Sequence, residues 1–113
     1  MDKQLEILNE LSSILHFSTE IKYDSAHLEY KFNPDEQWNS FSVWYEKNQQ
    51  NYSPNDFDKI SYEAQELCKE LHNEMQSHTG GDWRKFILTI DETGQAKTQF
   101  IYEIQSCMDQ FRE

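Results

Sequence analysis

Apolar residues change their spacing four times along this 113-residue chain, and each change marks an expected element. Leu5, Ile7, Leu8, Leu11, Ile14 and Leu15 fall on one side of a helix over residues 2–16, with Lys3, Glu6, Asn9, Glu10 and Ser13 opposite. From Thr19 to Phe32 the spacing drops to two. Ile21 and Tyr23, then Leu28, Tyr30 and Phe32, with Asp24-Ser25 between them as a turn, predict a first hairpin. Asn33-Pro34-Asp35-Glu36 is a second turn, because Pro presets φ while Asn and Asp hydrogen-bond their own backbone. Phe41, Val43 and Tyr45 then alternate with Ser42, Trp44 and Glu46 as a third strand, and the polar EKNQQNY that follows predicts a loop.

Ser53, Pro54 and Asp56 open the longest helix, as N-cap, first helical residue and first-turn acid. Its apolar stripe is Phe57, Ile60, Ala64, Leu67, Cys68, Leu71 and Met75, and Gly80-Gly81 ends it. Residues 82–103 read as a second hairpin. Phe86, Leu88 and Ile90 alternate on one strand, and Ala96, Thr98, Phe100 and Tyr102 on the other. Between them Asp91-Glu92-Thr93-Gly94 supplies an Asp to bond the turn backbone and a Gly for its left-handed position. Ile104, Cys107, Met108 and Phe111 return to helical spacing at the end. The expected fold is α+β, one domain over residues 1–113. It is an antiparallel five-stranded sheet in the order α-β-β-β-α-β-β-α with the two main helices packed on one face, a two-layer sandwich.

Charge narrows the partners. With 21 Asp and Glu against 10 Lys and Arg, the net charge of -11 disfavours holding a nucleic acid by its phosphates or sitting on an anionic membrane. A basic macromolecule is the natural partner. The 16 residues of Trp, Tyr and Phe are far more than an acidic disordered segment carries, so the chain is expected to fold. Residues 1–13 lack the basic start and unbroken apolar core of a signal peptide, and no apolar run has the length of a membrane span, so a cytoplasmic protein is expected. Cys68 and Cys107 occupy apolar helix positions, where reduced thiols are expected.

Candidate chemistry is sparse. Cys68 and His72 share a helix side and His78 follows, but no CxxC or HExxH supplies further metal ligands, so no metal is expected. Neither a nucleophile elbow nor a Gly-rich phosphate loop is present, so no catalytic residue and no cofactor is assigned, and an enzyme is the weaker class. Binding surfaces are more informative. Glu63, Glu66, Glu70 and Glu74 gather with Asp56 beside the apolar stripe of the long helix, where like charges four apart cost a few tenths of a kcal/mol each. Such a flank is either solvating surface or a docking face for a cationic partner. Strand parity also sends Trp44, Ile87 and Ile101 to the face of the sheet away from the helices, beside Glu29, Glu46 and Glu103. That face is open to a partner or to the terminal helix folding back over it. His16 and His27 have no evident role beyond the surface.

The run Trp83, Phe86-Ile87-Leu88-Thr89-Ile90-Asp91, Thr93-Gly94, Lys97, Phe100 and Tyr102-Glu103 resembles the C-terminal signature of the YezG-like immunity (antitoxin) proteins. Ala96 and Thr98 stand where that family has larger apolar residues. The resemblance implies a small, acidic bacterial protein that neutralises a cognate polymorphic toxin, most often a nuclease domain, of the kind delivered in contact-dependent growth inhibition. Neutralisation would occlude the active site or nucleic-acid groove, with Trp44, Glu29, Glu46, Glu63, Glu66, Glu70, Glu74, Ile87 and Ile101 as candidate toxin contacts. The alternative is a small acidic adaptor or secretion chaperone that holds an effector through the same surfaces.

Overall fold

The computed structural model describes residues 2–104. Asp2 accepts a hydrogen bond from the Gln4 N–H at 3.0 Å and caps α1 (Lys3–Phe17), which turns Ile7, Leu11 and Leu15 inward. β1 (Ser25–Asn33), β2 (Trp38–Lys47), β3 (Gln50–Tyr52), α2 (Phe57–Thr79), β4 (Lys85–Asp91) and β5 (Ala96–Ile101) follow. The strands form one antiparallel sheet in the order β3-β2-β1-β4-β5, with β1 in the centre. Ala26, Leu28, Tyr30, Val43, Tyr45, Phe86, Leu88 and Ile90 from one face of the sheet join Ile7, Leu11 and Leu15 of α1 and Ala64, Cys68 and Leu71 of α2 in a single core. Both helices therefore cover the same face, as the α+β two-layer reading expects. Lys3 meets Glu70 at 2.9 Å while Ser13 lies beside Glu63, so the helices run antiparallel across it.

The sheet is assembled differently from the expected one at its first and third elements. Ile21 and Tyr23 belong to the connection before β1 and pair with no strand. Their alternation comes from packing: both lie against the core, and the Tyr23 ring stands 5.6 Å from that of Tyr45 while its hydroxyl shares a 2.7 Å hydrogen bond with His16 Nδ1. The missing strand is supplied by Gln50–Tyr52, inside the stretch expected to loop. Asn48 and Gln49 both take left-handed φ, 52° and 65°, the two-residue turn whose twist suits a hairpin. The Asp24 carboxylate accepts from the Asn48 N–H at 2.9 Å and holds that turn. A polar strand on a sheet edge has no apolar alternation to announce it.

α2 starts at Phe57 with Asp56 as its cap, accepting from the Lys59 N–H at 3.1 Å, rather than at Ser53 and Pro54. The reason is tertiary. Asn55 N–H donates to the Ser18 carbonyl at 2.8 Å, tying the segment to the end of α1, and Pro54 is buried there. Gly80 closes the helix with φ 72° and an N–H to the Gln76 carbonyl. In the last hairpin the Asp91 carboxylate takes the Thr93 hydroxyl and the Thr93 and Gln95 N–H groups, which hold it below the usual carboxylate range. Ala96 and Thr98 are exposed because the helices do not reach the start of β5, and Tyr102 lies past the strand and is 55% exposed, so only Phe100 carries that side of the hairpin into the core. The expected terminal helix lies outside the described residues beyond Ile104.

Trp83 is the largest fully buried side chain. It sits just ahead of β4 among Tyr30, Phe32, His72, Phe86 and Phe100, mostly edge to face or tilted. Its indole N–H has no acceptor among the described residues, where ring packing offsets the cost of burying it. Tyr45, also fully buried, donates its hydroxyl to the Leu15 carbonyl at 2.6 Å and so satisfies the end of α1 from the sheet.

Two predictions follow from the buried hydroxyls. Tyr45→Phe leaves the Leu15 carbonyl without its partner and lowers stability by about 1–2 kcal/mol in urea unfolding, whereas the exposed Tyr52→Phe is silent. Burial pushes Tyr30 and Tyr45 from 10.0 up to about 12. The unfolded chain ionises them first, so stability is intact below pH 10 and falls as pH rises from 10 through about 12. Urea midpoints measured across that window check it, with Tyr45→Phe giving a shallower fall.

Candidate functional site

The two surfaces expected to meet a partner lie on opposite sides of the molecule. Trp44, Glu29, Glu46, Ile87 and Ile101 are on the free face of the sheet, and Glu63, Glu66, Glu70 and Glu74 are on the helical layer that covers the other face. Register decides the first group. Trp44 lies opposite His27 and His27 opposite Thr89; Glu29 lies opposite Ile87; and Lys85 lies opposite Ile101. Trp44, Ile87 and Ile101 therefore run diagonally across the sheet, with Trp44 and Ile87 two strands across and two residues along from each other, about 12 Å apart. All five side chains are half-buried rather than fully exposed.

Much of that face is already partnered. Glu29 pairs with Lys85 at 3.0 Å. Trp44 stacks on His27, with centroids 4.9 Å apart and planes within 10°. His27 Nε2 also meets Ser25 Oγ at 2.8 Å and stands 3.5 Å from Glu46. His27 is thus a built part of the face, contrary to its reading as bare surface. Burial lowers its pKa from 6.5, against the opposing pull of Glu46. Lys31, Lys85 and Lys97 share the face with Glu29 and Glu46, so its charge is close to balanced rather than an acidic ring.

The helical layer is where the negative charge collects. From Asp2 through α1, and from Asp56 through α2, nine carboxylates stand against three lysines. Glu70 is engaged by Lys3 at 2.9 Å, which raises the Lys3 pKa, and Glu74 by His78 at 3.0 Å. Glu66 reaches Lys69 only at 3.9 Å, and Glu63, exposed, borders a shallow depression between the helices with Glu10. Glu63 thus has no ion pair among the described residues, and that of Glu66 is at the outer limit of such a contact. The like-charge crowding visible along α2 is partly offset by Lys3, a residue of the other helix.

A groove that sequence reasoning missed opens at one end of the sheet, where the β1–β2 turn leans over α2. It encloses about 450 Å³. Tyr30 and Phe32 of β1 and Trp38 of β2 border it, with Lys69, His72 and Asn73 from α2; Tyr30 is buried, and the Trp38 indole lies under Lys31 on the free side of the sheet. The turn is fixed internally: Asn33 Oδ1 accepts from the Asp35 and Glu36 N–H groups, and Glu36 Oε1 accepts from Asn33 Nδ2 and Trp38 Nε1 at 3.0 and 2.8 Å. His72 is fixed from behind. Its Nε2–H donates to Asp82 at 2.7 Å; Arg84 also donates to that carboxylate, and the two hold it below the usual carboxylate range, Arg84 foremost. The Arg84 guanidinium lies over the Phe32 ring, 5.4 Å from its centroid. The Asn33-Pro34 turn signal pointed to the loop, but nothing in the order of residues placed it against His72.

Among the described residues no cluster of three His, Cys, Asp or Glu is placed to hold a metal, and no helix is long and apolar enough to cross a membrane. Cys68 is a free, buried thiol whose pKa burial drives up; Cys107 lies outside the described residues. Comparison with known protein families and with curated proteins finds no match to this chain.

Trp44 supplies much of the shielding of His27, so the imidazole titrates below 6.5 in the intact protein and moves toward 6.5 in Trp44→Ala. Following the ring protons by NMR between pH 4 and 8 checks this. Because the folded value is the lower one, the associated stability is present above pH 6.5 and is lost as pH falls through the folded pKa.

Proposed function

We infer that this chain is an immunity protein, which binds and neutralises a basic toxin nuclease domain in the bacterial cytoplasm. The observation that carries the reading is the acidic helical layer, nine carboxylates against three lysines on one side of a protein with net charge -11. Such a surface raises the encounter rate with a cationic partner and repels nucleic acid. The YezG-like signature in residues 83–103 supports the same class and adds the expectation of a toxin as that partner. On this reading the protein works by occupying the toxin's active site or nucleic-acid groove, without catalysis of its own.

A standard interface covers about 800 Å² on each partner and does not wrap both faces of a two-layer domain. The helical layer, with Glu63 and Glu66 exposed on it, is the proposed contact. The free sheet face, whose Glu29 is already bound to Lys85, is the secondary candidate. Co-expression with the C-terminal domain of a toxin-like reading frame neighbouring its gene is the direct test: cells survive if the reading is right, and continued killing despite a folded, expressed protein rejects it. Glu63→Gln with Glu66→Gln should slow association several-fold at low ionic strength and much less at high salt, by stopped-flow. Normal rates in that double variant, with binding lost in Trp44→Ala, would move the contact to the sheet.

A further inference from the structure

β2 has an edge that β3 covers only in part. Lys47 and Tyr45 pair with Gln50 and Tyr52 of β3, while the Glu46 carbonyl turns the other way and accepts from the Asp24 N–H at 2.8 Å. Backbone groups alternate sides along a strand, so Val43, Phe41 and Asn39 turn their N–H and C=O groups toward the β3 side. The register with β1 runs unbroken from Trp38 to Glu46, which carries that alternation the whole way. β3 ends at Tyr52, and Pro54, which the same register would set opposite Val43, has no N–H to extend it. From Trp38 to Ser42 no described residue pairs with that side, and it exposes the backbone groups of Asn39 and Phe41.

Sheet edges are ordinarily protected by Lys, Pro, a bulge or a covering element. On the opposite edge of this sheet the Gln95 and Ile101 carbonyls turn toward β4, Thr98 and Phe100 turn outward, and Lys97 supplies the protection. The stretch Trp38-Asn39-Ser40-Phe41-Ser42 has neither charge nor Pro, in a chain of net charge -11. Beside it the Phe57 ring of α2, 38% exposed, stands 5.7 Å from that of Phe41. Nearby charges are of both signs. Asp35 and Glu36 precede the stretch and Asp56 and Asp58 flank Phe57, but Lys31 lies opposite Ser40 and Lys69 borders the groove beside Asn39. Nothing at this edge selects a cationic strand.

We propose that this edge pairs with the same edge of a second copy of this chain, antiparallel about a two-fold axis at Ser40. The open stretch then maps onto itself: Asn39 lies opposite Phe41 of the second copy, Trp38 opposite its Ser42, and the two Ser40 residues opposite each other. Each pair of Asn39 with Phe41 exchanges both of its N–H to C=O bonds. Faces are kept, because odd positions meet odd ones. Phe41 and Phe57 of both copies gather on the helical side, and on the free face only serines and Trp38 meet. An uncharged stretch is where two acidic molecules approach with least repulsion. This pairing is independent of the toxin reading, since it needs no second kind of protein.

Sedimentation velocity on the intact chain from about 10 μM to about 1 mM reads the self-association. The mass climbs toward twice that of the monomer, and does so at lower concentration in about 0.5 M salt than in about 0.05 M, because screening relieves the repulsion between two copies of charge -11. In concentrated samples the Asn39 and Phe41 amides exchange hydrogen with solvent several-fold more slowly than in dilute ones, while the Thr98 and Phe100 amides of β5 are unchanged. Asn39→Pro removes an N–H that does not serve β1, and Ser40→Glu sets two carboxylates across the axis while each has Lys31 beside it in its own chain. Each variant weakens association several-fold with the Trp83 indole N–H signal unmoved; if Asn39→Pro alters that signal, Ser40→Glu decides. A monomer throughout the range overturns the proposal. A dimer that protects Thr98 and Phe100 instead, that salt weakens, or that the folded variants leave intact overturns it as well.

Discussion

β1 pairs along its length with β2 on one side and along most of it with β4 on the other, and it buries every second residue from Ala26 to Tyr30. Because side chains alternate, a slip of one residue against either neighbour would expose Ala26, Leu28 and Tyr30 and bury His27, Glu29 and Lys31. That register sets the identity of both faces. On one it presents a continuous apolar floor to α1 and α2. On the other it brings Glu29 to Lys85 and His27 to Trp44. The aromatic end of the same strand, Tyr30 and Phe32, borders the groove and supplies two of the contacts that enclose Trp83.

Charge follows the layers. The sheet's free face neutralises itself across neighbouring strands, while the helices, packed antiparallel, place two sets of carboxylates side by side with few lysines between them. Self-repulsion of this kind costs stability, and the core under it is what allows the layer to persist. An acidic layer and a groove lined by no carboxylate thus coexist on one small domain, because the groove is lined from the β1–β2 turn as well as from α2.

Elements with an apolar period were legible. The stripes of α1 and α2, the turn at Asp91–Gly94 and the strands β1, β2 and β4 stand at or near the residues that spacing indicates. Elements set by contacts with distant residues were not. β3 is polar and is held by Asp24; Ile21 and Tyr23 imitate a strand because they pack on Tyr45 and the core; and Pro54 is drawn away from α2 by the bond from Asn55 to Ser18. The site divides the same way. Parity alone put Trp44, Glu29, Glu46, Ile87 and Ile101 on one face, yet the partners they meet there, Lys85 and His27, depend on register across strands.

By itself the order of residues determined which side of each strand and helix is apolar, since that depends only on local period, and it determined the net charge of -11, since that is a sum. Only the tertiary structure decided where the charge collects, and that the two candidate surfaces back onto each other. It alone brought the Asn33–Trp38 turn over His72 to make the groove. Those facts depend on which distant segments meet, and pairing across a sheet or between helices leaves no periodic trace in either partner.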